Sequence, residues 1–309
     1  MVKILVTGGA GNIGSALIAR LLPYQEYYVV AVDNFLTGSG YKLPSEQSDN
    51  FVFINANVND YHEISAVMTS YRFDYVFHYA AVVGVKRTLE NPVLVLRDIE
   101  GIRNVLDLCK NTGVKRIFYS SSSEVYGEPV EFPQNEMTTP LNSRLPYAVV
   151  KNVGESFLRS YHRQFNLPYT IFRFFNTYGP RQSEDFVVSK FLVQALQNEP
   201  ITIYGNGSQT RTFCYVDDNI DTTIACLRLN LCVNDVMNVG NDEETTVKEL
   251  AERVIQATGS ASKITFLPAL KEGDMTRRRP DITKMKSILG RELTRLDEGL
   301  KKTLENKMF

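Results

Sequence analysis

Tyr147 and Lys151 stand at i and i+4 in Tyr147-Ala148-Val149-Val150-Lys151, so on a helix they share one face. A phenol beside an ammonium ionises more readily, because the positive charge favours the phenolate. Such a tyrosine can take the proton of a substrate hydroxyl. Upstream, the apolar run Ile117-Phe118-Tyr119 leads into Ser120-Ser121-Ser122-Ser123-Glu124. Polar residues that follow a buried strand directly emerge at the carboxyl edge of a sheet, where Ser122 can hold the same hydroxyl. Alone, a Tyr–Lys pair fits a solvated helix face, and a serine run fits a loop that caps the next element.

What precedes them gives the pair its meaning. Ile4-Leu5-Val6 enters Thr7-Gly8-Gly9-Ala10-Gly11-Asn12-Ile13-Gly14, and Val29-Val30-Ala31-Val32 ends on Asp33. Strand, glycine turn, helix, strand and terminal acid together form a dinucleotide-binding pattern. Gly8, Gly11 and Gly14 permit the tight turn, the approach of a pyrophosphate to backbone N–H groups, and close helix–sheet packing. The helix N-terminus favours the phosphates. Asp33 can accept hydrogen bonds from a ribose diol and repels a 2′-phosphate, which favours NAD over NADP. An oxidised nicotinamide would add positive charge beside Tyr147 and accept the hydride.

The elements that position these groups alternate. Strands are expected at 51–54, 75–78, 116–120 and 169–174, with helices at 61–71, 92–111 and 147–166. This rhythm predicts an α/β fold, a Rossmann doubly wound parallel sheet. From about residue 176, loops such as Tyr178-Gly179-Pro180-Arg181 and Tyr204-Gly205-Asn206-Gly207-Ser208 separate shorter elements. A helix is expected at 187–197, a strand at 201–204, and a helix at 246–259 capped by Thr246. The division is therefore residues 1–175 for the cofactor and 176–309 for a smaller C-terminal α/β substrate lobe. Segments around 210–240 are able to pack back onto the first part.

The 309 residues suffice for a large core, and 43% hydrophobic with 22% charged residues is ordinary for a globular chain. A net charge of −1 gives no field for nucleic acid or an anionic membrane. No apolar run is long enough to span a bilayer. Met1-Val2-Lys3 runs straight into a strand, so no signal peptide is expected and the cytoplasm is the expected location. The four cysteines lack CxxC spacing and the three histidines are dispersed, so reduced thiols and no metal site are expected.

At this point the chain resembles the extended short-chain dehydrogenases/reductases, in the nucleotide-sugar epimerase/dehydratase/decarboxylase group. The resemblance rests on the glycine turn, Asp33-Asn34, His78-Tyr79-Ala80-Ala81, Ser122 to Gly127, Tyr147 with Lys151, and Arg173 to Arg181. Gly207 to Phe213 and Arg279-Pro280-Asp281 extend it. It implies NAD contacts by Gly8, Gly11, Asn12, Ile13, Gly14, Asp33, Asn34, Asn57, Val58, Tyr79, Ala80 and Ala81, with Tyr147 and Lys151 at the nicotinamide. It implies a nucleoside diphosphate sugar, with UDP favoured, held by Asn176, Val187, Tyr204, Arg211 and Arg279. A homodimer through helices 92–111 and 147–166 is implied as well. Asn57 replaces an Asp common in relatives, and Asp98 an Asn.

In this family Tyr147 takes the C4 hydroxyl proton, Lys151 holds the nicotinamide ribose and Ser122 shares the hydroxyl. C4 oxidation acidifies C5 and activates a C5 carboxylate for loss. Ser123-Glu124 is similar to UDP-glucuronate decarboxylases and to dehydratases that use glutamate, and Ser123 departs from the Asp of hexose 4,6-dehydratases. Expected, in order, are C5-directed chemistry (decarboxylation or dehydration) and then 4-epimerisation. A non-catalytic NAD-binding regulatory protein is the alternative from another class.

Overall fold

A computed structural model describes residues 1–44, 48–269 and 277–306. The strands are β1 (Val2–Thr7), β2 (Tyr27–Asp33), β3 (Phe51–Asn55), β4 (Tyr75–His78), β5 (Arg116–Ser122) and β6 (Tyr169–Phe174). There follow β7 (Thr177–Tyr178), β8 (Ile201–Tyr204), β9 (Thr210–Thr212), β10 (Cys214–Tyr215), β11 (Asp235–Val239), β12 (Glu244–Thr246) and β13 (Ile264–Leu267). Seven of them form one sheet in the order β3-β2-β1-β4-β5-β6-β11. Every pairing in it is parallel.

The helices are α1 (Asn12–Leu21), α2 (Tyr61–Tyr71), α3 (Val85–Glu90), α4 (Pro92–Leu96), α5 (Asp98–Thr112) and α6 (Pro146–Phe165). The second half adds α7 (Val187–Leu196), α8 (Val216–Arg228), α9 (Val247–Thr258), α10 (Thr283–Leu289) and α11 (Leu296–Glu305). Strand residues point alternately to the two faces, so Ile4 and Val6 join α1 and α8 in one core while Leu5 joins α2, α5 and α6 in the other. Across the first face Phe77 stacks on Phe118 at 4.3 Å, and Phe118 on Phe172 at 6.1 Å. Truncating Phe118 to Ala is expected to cost about 3–5 kcal/mol.

The helix boundaries follow local chemistry. Asp60 caps α2 by accepting from His62 N and Glu63 N at 2.8 and 3.2 Å. Thr246 and Glu249 form a reciprocal capping box on α9, and Gly259 closes that helix in the left-handed region. The single helix expected over 92–111 is interrupted at Arg97. Arg97 N bonds Leu94 O and Glu100 N bonds Arg97 O, i→i+3 bonds that tighten the turn and separate α4 from α5. β11 lies beside β6, from Asp235 opposite Thr170 to Val239 opposite Phe174, so a strand from the second half completes the large sheet.

Candidate active site

The turn after β1 brings backbone against backbone. Gly8 has φ +70°, and a Cβ there would stand 2.7 Å from Ala80 N. A Cβ on Gly14 would stand 2.2 Å from Gly8 O. Gly11 precedes α1 without a side-chain cap, and Gly11, Asn12, Ile13 and Gly14 line a cavity of about 340 Å³. An uncapped helix N-terminus facing a cavity, with nothing bulky before it, suits a pyrophosphate. Asp33 at the end of β2 accepts from Ala10 N at 2.9 Å and Phe35 N at 2.8 Å. Those bonds fix its carboxylate in the wall of the same cavity and leave lone pairs for a ribose. This donor set fits NAD.

The carboxyl ends of β4 and β5 and the start of α6 supply the reactive groups. Pro146 begins α6, so Tyr147 lies in its first turn and Lys151 one turn further on. Tyr147 and Ser122 line the cavity together, and Ser122 opposes the rise of the Tyr147 phenol. Lys151 Nζ donates to Ser120 O at 2.6 Å and lies 5.7 Å from the Tyr147 ring centroid. Burial lowers the Lys151 ammonium to about 8, with the Asp98 carboxylate opposing. Burial raises the Tyr147 phenol, and the Glu124 and Asp98 charges add to this against Ser122 and Arg278. Lys151 is not among the largest influences on the Tyr147 phenol, which is raised and not lowered in the protein alone. The ammonium is turned to Ser120 O, and the positive charge of an oxidised nicotinamide would add to the groups that favour the phenolate.

Glu124 sits in the 3-10 turn Ser123–Tyr126, with its N–H donating to Ser122 Oγ at 3.2 Å. Arg278 Nη1 lies 2.7 Å from Glu124 Oε1 and 3.4 Å from Ser123 Oγ. Arg278 is the arginine of the triplet that lines the cavity, whereas Arg279, expected near the phosphates, does not line it. Arg279 instead contributes its main-chain oxygen to Gln134 N at 2.8 Å. Successive residues in this extended segment face opposite ways, so the choice of neighbour decides which guanidinium enters.

Among the residues named from sequence, the cavity gathers Gly8, Gly11, Asn12, Ile13, Gly14, Asp33, Asn34, Asn57, Val58, Tyr79, Ala80 and Ala81. It also gathers Ser122, Ser123, Glu124, Tyr147, Lys151, Asn176 and Val187. Tyr204, Arg211 and Arg279 do not line it. Tyr204 is exposed beneath Lys190, and Arg211 Nη1 donates to Thr210 O at 2.7 Å. The sequence reading missed Lys42, Gln182 and Phe186, which line the cavity. Only Lys42 carried a signal, as a basic residue shortly after the Asp33 turn. Asp98 also lines it, accepting from Val82 N at 2.7 Å, which gives the exchanged acid a place near Lys151.

Residues 4–240 match the NAD dependent epimerase/dehydratase family. The chain belongs to that family. A UDP-glucuronic acid decarboxylase 1 of Danio rerio is 37% identical over 98% of this chain and 72% of that protein. A UDP-glucose 4-epimerase of Thermotoga maritima, solved with UDP-glucose, superposes with a TM-score of 0.92 at 33% identity over 98% of both chains. A UDP-glucuronic acid 4-epimerase of Bacillus cereus, solved with UDP-glucuronic acid and NAD, gives 0.90 at 31% identity over 98% of both chains. As a member of the NAD-dependent epimerase/dehydratase family the chain is an enzyme that uses NAD. Among the described residues no group could hold a metal ion, and no helix is long and apolar enough to cross a membrane.

Proposed function

We propose that this enzyme decarboxylates UDP-glucuronate, and the Glu124–Arg278 pair beside Ser122 and Tyr147 carries the reading. When bound, NAD supplies the two-electron acceptor at C4 that the side chains lack. Tyr147 takes the proton of the C4 hydroxyl while Ser122 holds its oxygen. With a ketone at C4, the C6 carboxylate is β to a carbonyl. The C5–C6 bond then breaks, its electron pair moves toward the C4 oxygen, CO₂ leaves, and C5 takes up a proton. Arg278 lies between two anions here, Glu124 and the substrate carboxylate, so the guanidinium binds the uronate without direct carboxylate–carboxylate contact. Glu124 fixes Arg278 and handles the proton that C5 acquires.

A 4-epimerase acting on a neutral hexose has no need of a guanidinium at this place. A 4,6-dehydratase needs an acid for its leaving group where Ser123 stands. The assignment is tested by incubating the protein with NAD and UDP-glucuronate and weighing the nucleotide-sugar product. A product lighter by CO₂ supports decarboxylation. Unchanged mass with inverted C4 makes the protein a UDP-glucuronate 4-epimerase, and loss of water makes it a dehydratase.

The same reading assigns residues 1–175 with 235–239 to the cofactor and most of the remainder to the nucleotide sugar. It also includes a cytoplasmic homodimer paired through α5 and α6. An open groove on α6 lined by Val149, Val153, Phe157 and Tyr161 supports that pairing, and light scattering checks it.

A further inference from the structure

Resting on the decarboxylase reading, we propose that Tyr126 and Asn238 are positioning residues. They hold the C5 half of the site, Glu124 and Arg278, in register with the C4 half, Ser122, Tyr147 and Lys151. Ser122 and Glu124 are neighbours in one turn, but Arg278 and the Tyr147–Lys151 pair come from segments far apart in the chain. Tyr147 and Lys151 ride on α6, whereas Arg278 lies in a segment outside the large sheet. What joins them is a buried line of hydrogen bonds in which each side chain has its partner.

The line starts on α6. Glu155, one turn beyond Lys151, accepts from Ser121 Oγ at 2.6 Å, which ties the helix to β5 beside Ser122. Arg173 on β6 grips both oxygens of Glu155, Nε at 2.8 Å and Nη2 at 2.7 Å. Its Nη1 donates to the Tyr126 hydroxyl at 2.8 Å. Tyr126 is two residues beyond Glu124, in the same 3-10 turn, and its hydroxyl donates onward to Asn238 Oδ1 at 2.8 Å. Asn238 then donates to Gln134 O at 2.9 Å and to Asp281 O at 3.2 Å. Gln134 pairs with the Arg278 segment through Arg279 O and Asp281 N, each at 2.8 Å.

Glu155, Arg173, Tyr126 and Asn238 are all at most 1% exposed, and none of them lines the cavity. Their role is therefore exerted through other groups. Arg173 supplies only donors and Asn238 Oδ1 only accepts, so the single Tyr126 proton has one direction available. In so dry a setting the loss of that hydroxyl leaves two buried groups short of a partner. The Arg278 segment can then shift relative to Tyr147 without unfolding of the sheet.

Tyr126→Phe removes the oxygen and keeps the ring. Holoenzyme is mixed with UDP-glucuronate in stopped flow, and the rise of reduced-nicotinamide absorbance is compared with CO₂ release, alongside thermal unfolding. The expected result is C4 oxidation within about twofold of the parent, CO₂ release slower by roughly ten- to hundredfold, and accumulated reduced nicotinamide. Asn238→Asp keeps an acceptor for Tyr126 but loses both donors, and it is expected to shift the same ratio if Tyr126→Phe fails to fold. Both rates falling by one factor, or an unchanged ratio in a folded variant, overturns the proposal. If the parent enzyme releases no CO₂, the decarboxylase reading fails by itself. The ratio is then read on formation of the C4 epimer, where an unchanged value again overturns the positioning role.

Discussion

Arg278 Nη1 and Glu124 Oε1 meet at 2.7 Å although one belongs to the turn after β5 and the other to a segment near the chain's end. The Arg278 side chain is only 6% exposed and that of Glu124 20%, so the pair is shielded but opens on the cavity. A guanidinium has five N–H donors, so one that is paired with a carboxylate and borders a cavity can address a second anion as well. In the proposed function that relationship separates the C5 chemistry from the C4 chemistry assigned to Tyr147 and Ser122.

Glu124→Gln keeps the size of the side chain and removes its charge. The expected outcome is continued reduced-nicotinamide formation from UDP-glucuronate, with CO₂ release reduced by about 10²–10⁴-fold. Arg278→Leu is expected to raise the KM for UDP-glucuronate as well, because the uronate loses its cation. Steady-state CO₂ assays beside stopped-flow absorbance check both. Full turnover by Glu124→Gln would remove Glu124 from the C5 step.

The cofactor half of the site was legible because its chemistry is local. Gly14 and Asp33 are forced by backbone contacts within one strand–helix–strand unit, and sequence spacing reports such contacts directly, whereas the contact of Gly8 with the Tyr79–Ala80 backbone was legible only through its glycine-turn pattern. Tyr147 and Lys151 were legible for the same reason, one helical turn apart. The mutual charge effect expected of them was not, since it depends on where Lys151 Nζ finds an acceptor, and that is Ser120 O. That Arg278 and not Arg279 lines the cavity was not legible, because it depends on Gln134 pairing with the segment, a contact across about 146 positions that no local pattern encodes. β11 was not named as a strand, although segments around 210–240 were expected to be able to pack back onto the first part. It is a five-residue strand whose place is set by β6, not by its own periodicity.

The Lys151 ammonium, lowered by burial to about 8 and held up by Asp98, sets an alkaline limit. Its charged form is the donor to Ser120 O and the one able to hold a ribose hydroxyl. The value of kcat/KM is expected to fall as pH rises through about 8. Asp98→Asn removes the charge that raises the pKa, so the fall is expected to begin at lower pH. A pH profile of both enzymes decides this, and an unmoved or higher alkaline limb in Asp98→Asn would refute the coupling.

Glu155 governs stability at the other end of the scale. Burial pushes its carboxyl up, but the Arg173 hydrogen bonds and charge, with Ser121 and Arg159, outweigh this and leave it below the usual 4.5. A depressed carboxyl stabilises the fold fully above the unfolded value and loses that contribution as pH falls through the folded one. Urea unfolding is therefore expected to show stability declining below about pH 4.5, with a flatter acid limb in Glu155→Gln. Arg173→Met leaves Glu155 buried without its main partner and is expected to cost about 3–5 kcal/mol at neutral pH. An acid limb as steep in Glu155→Gln as in the parent would assign the decline to other groups.

Asp33 and Lys42 are expected to set the cofactor choice together. Both line the cavity, the Lys42 side chain is buried, and the Asp33 charge acts on its ammonium. With the carboxylate present, a 2′-phosphate meets an anion fixed by Ala10 N and Phe35 N. Asp33→Asn keeps the shape, removes that repulsion, and leaves the Lys42 ammonium as a partner for phosphate. Calorimetric titration is expected to show the preference for NAD over NADP falling by roughly tenfold or more. Lys42→Met in the Asp33→Asn background is expected to abolish the gain in NADP affinity while affecting NAD little. If the double variant still binds NADP as Asp33→Asn does, another group meets the phosphate and Lys42 has no part in the choice.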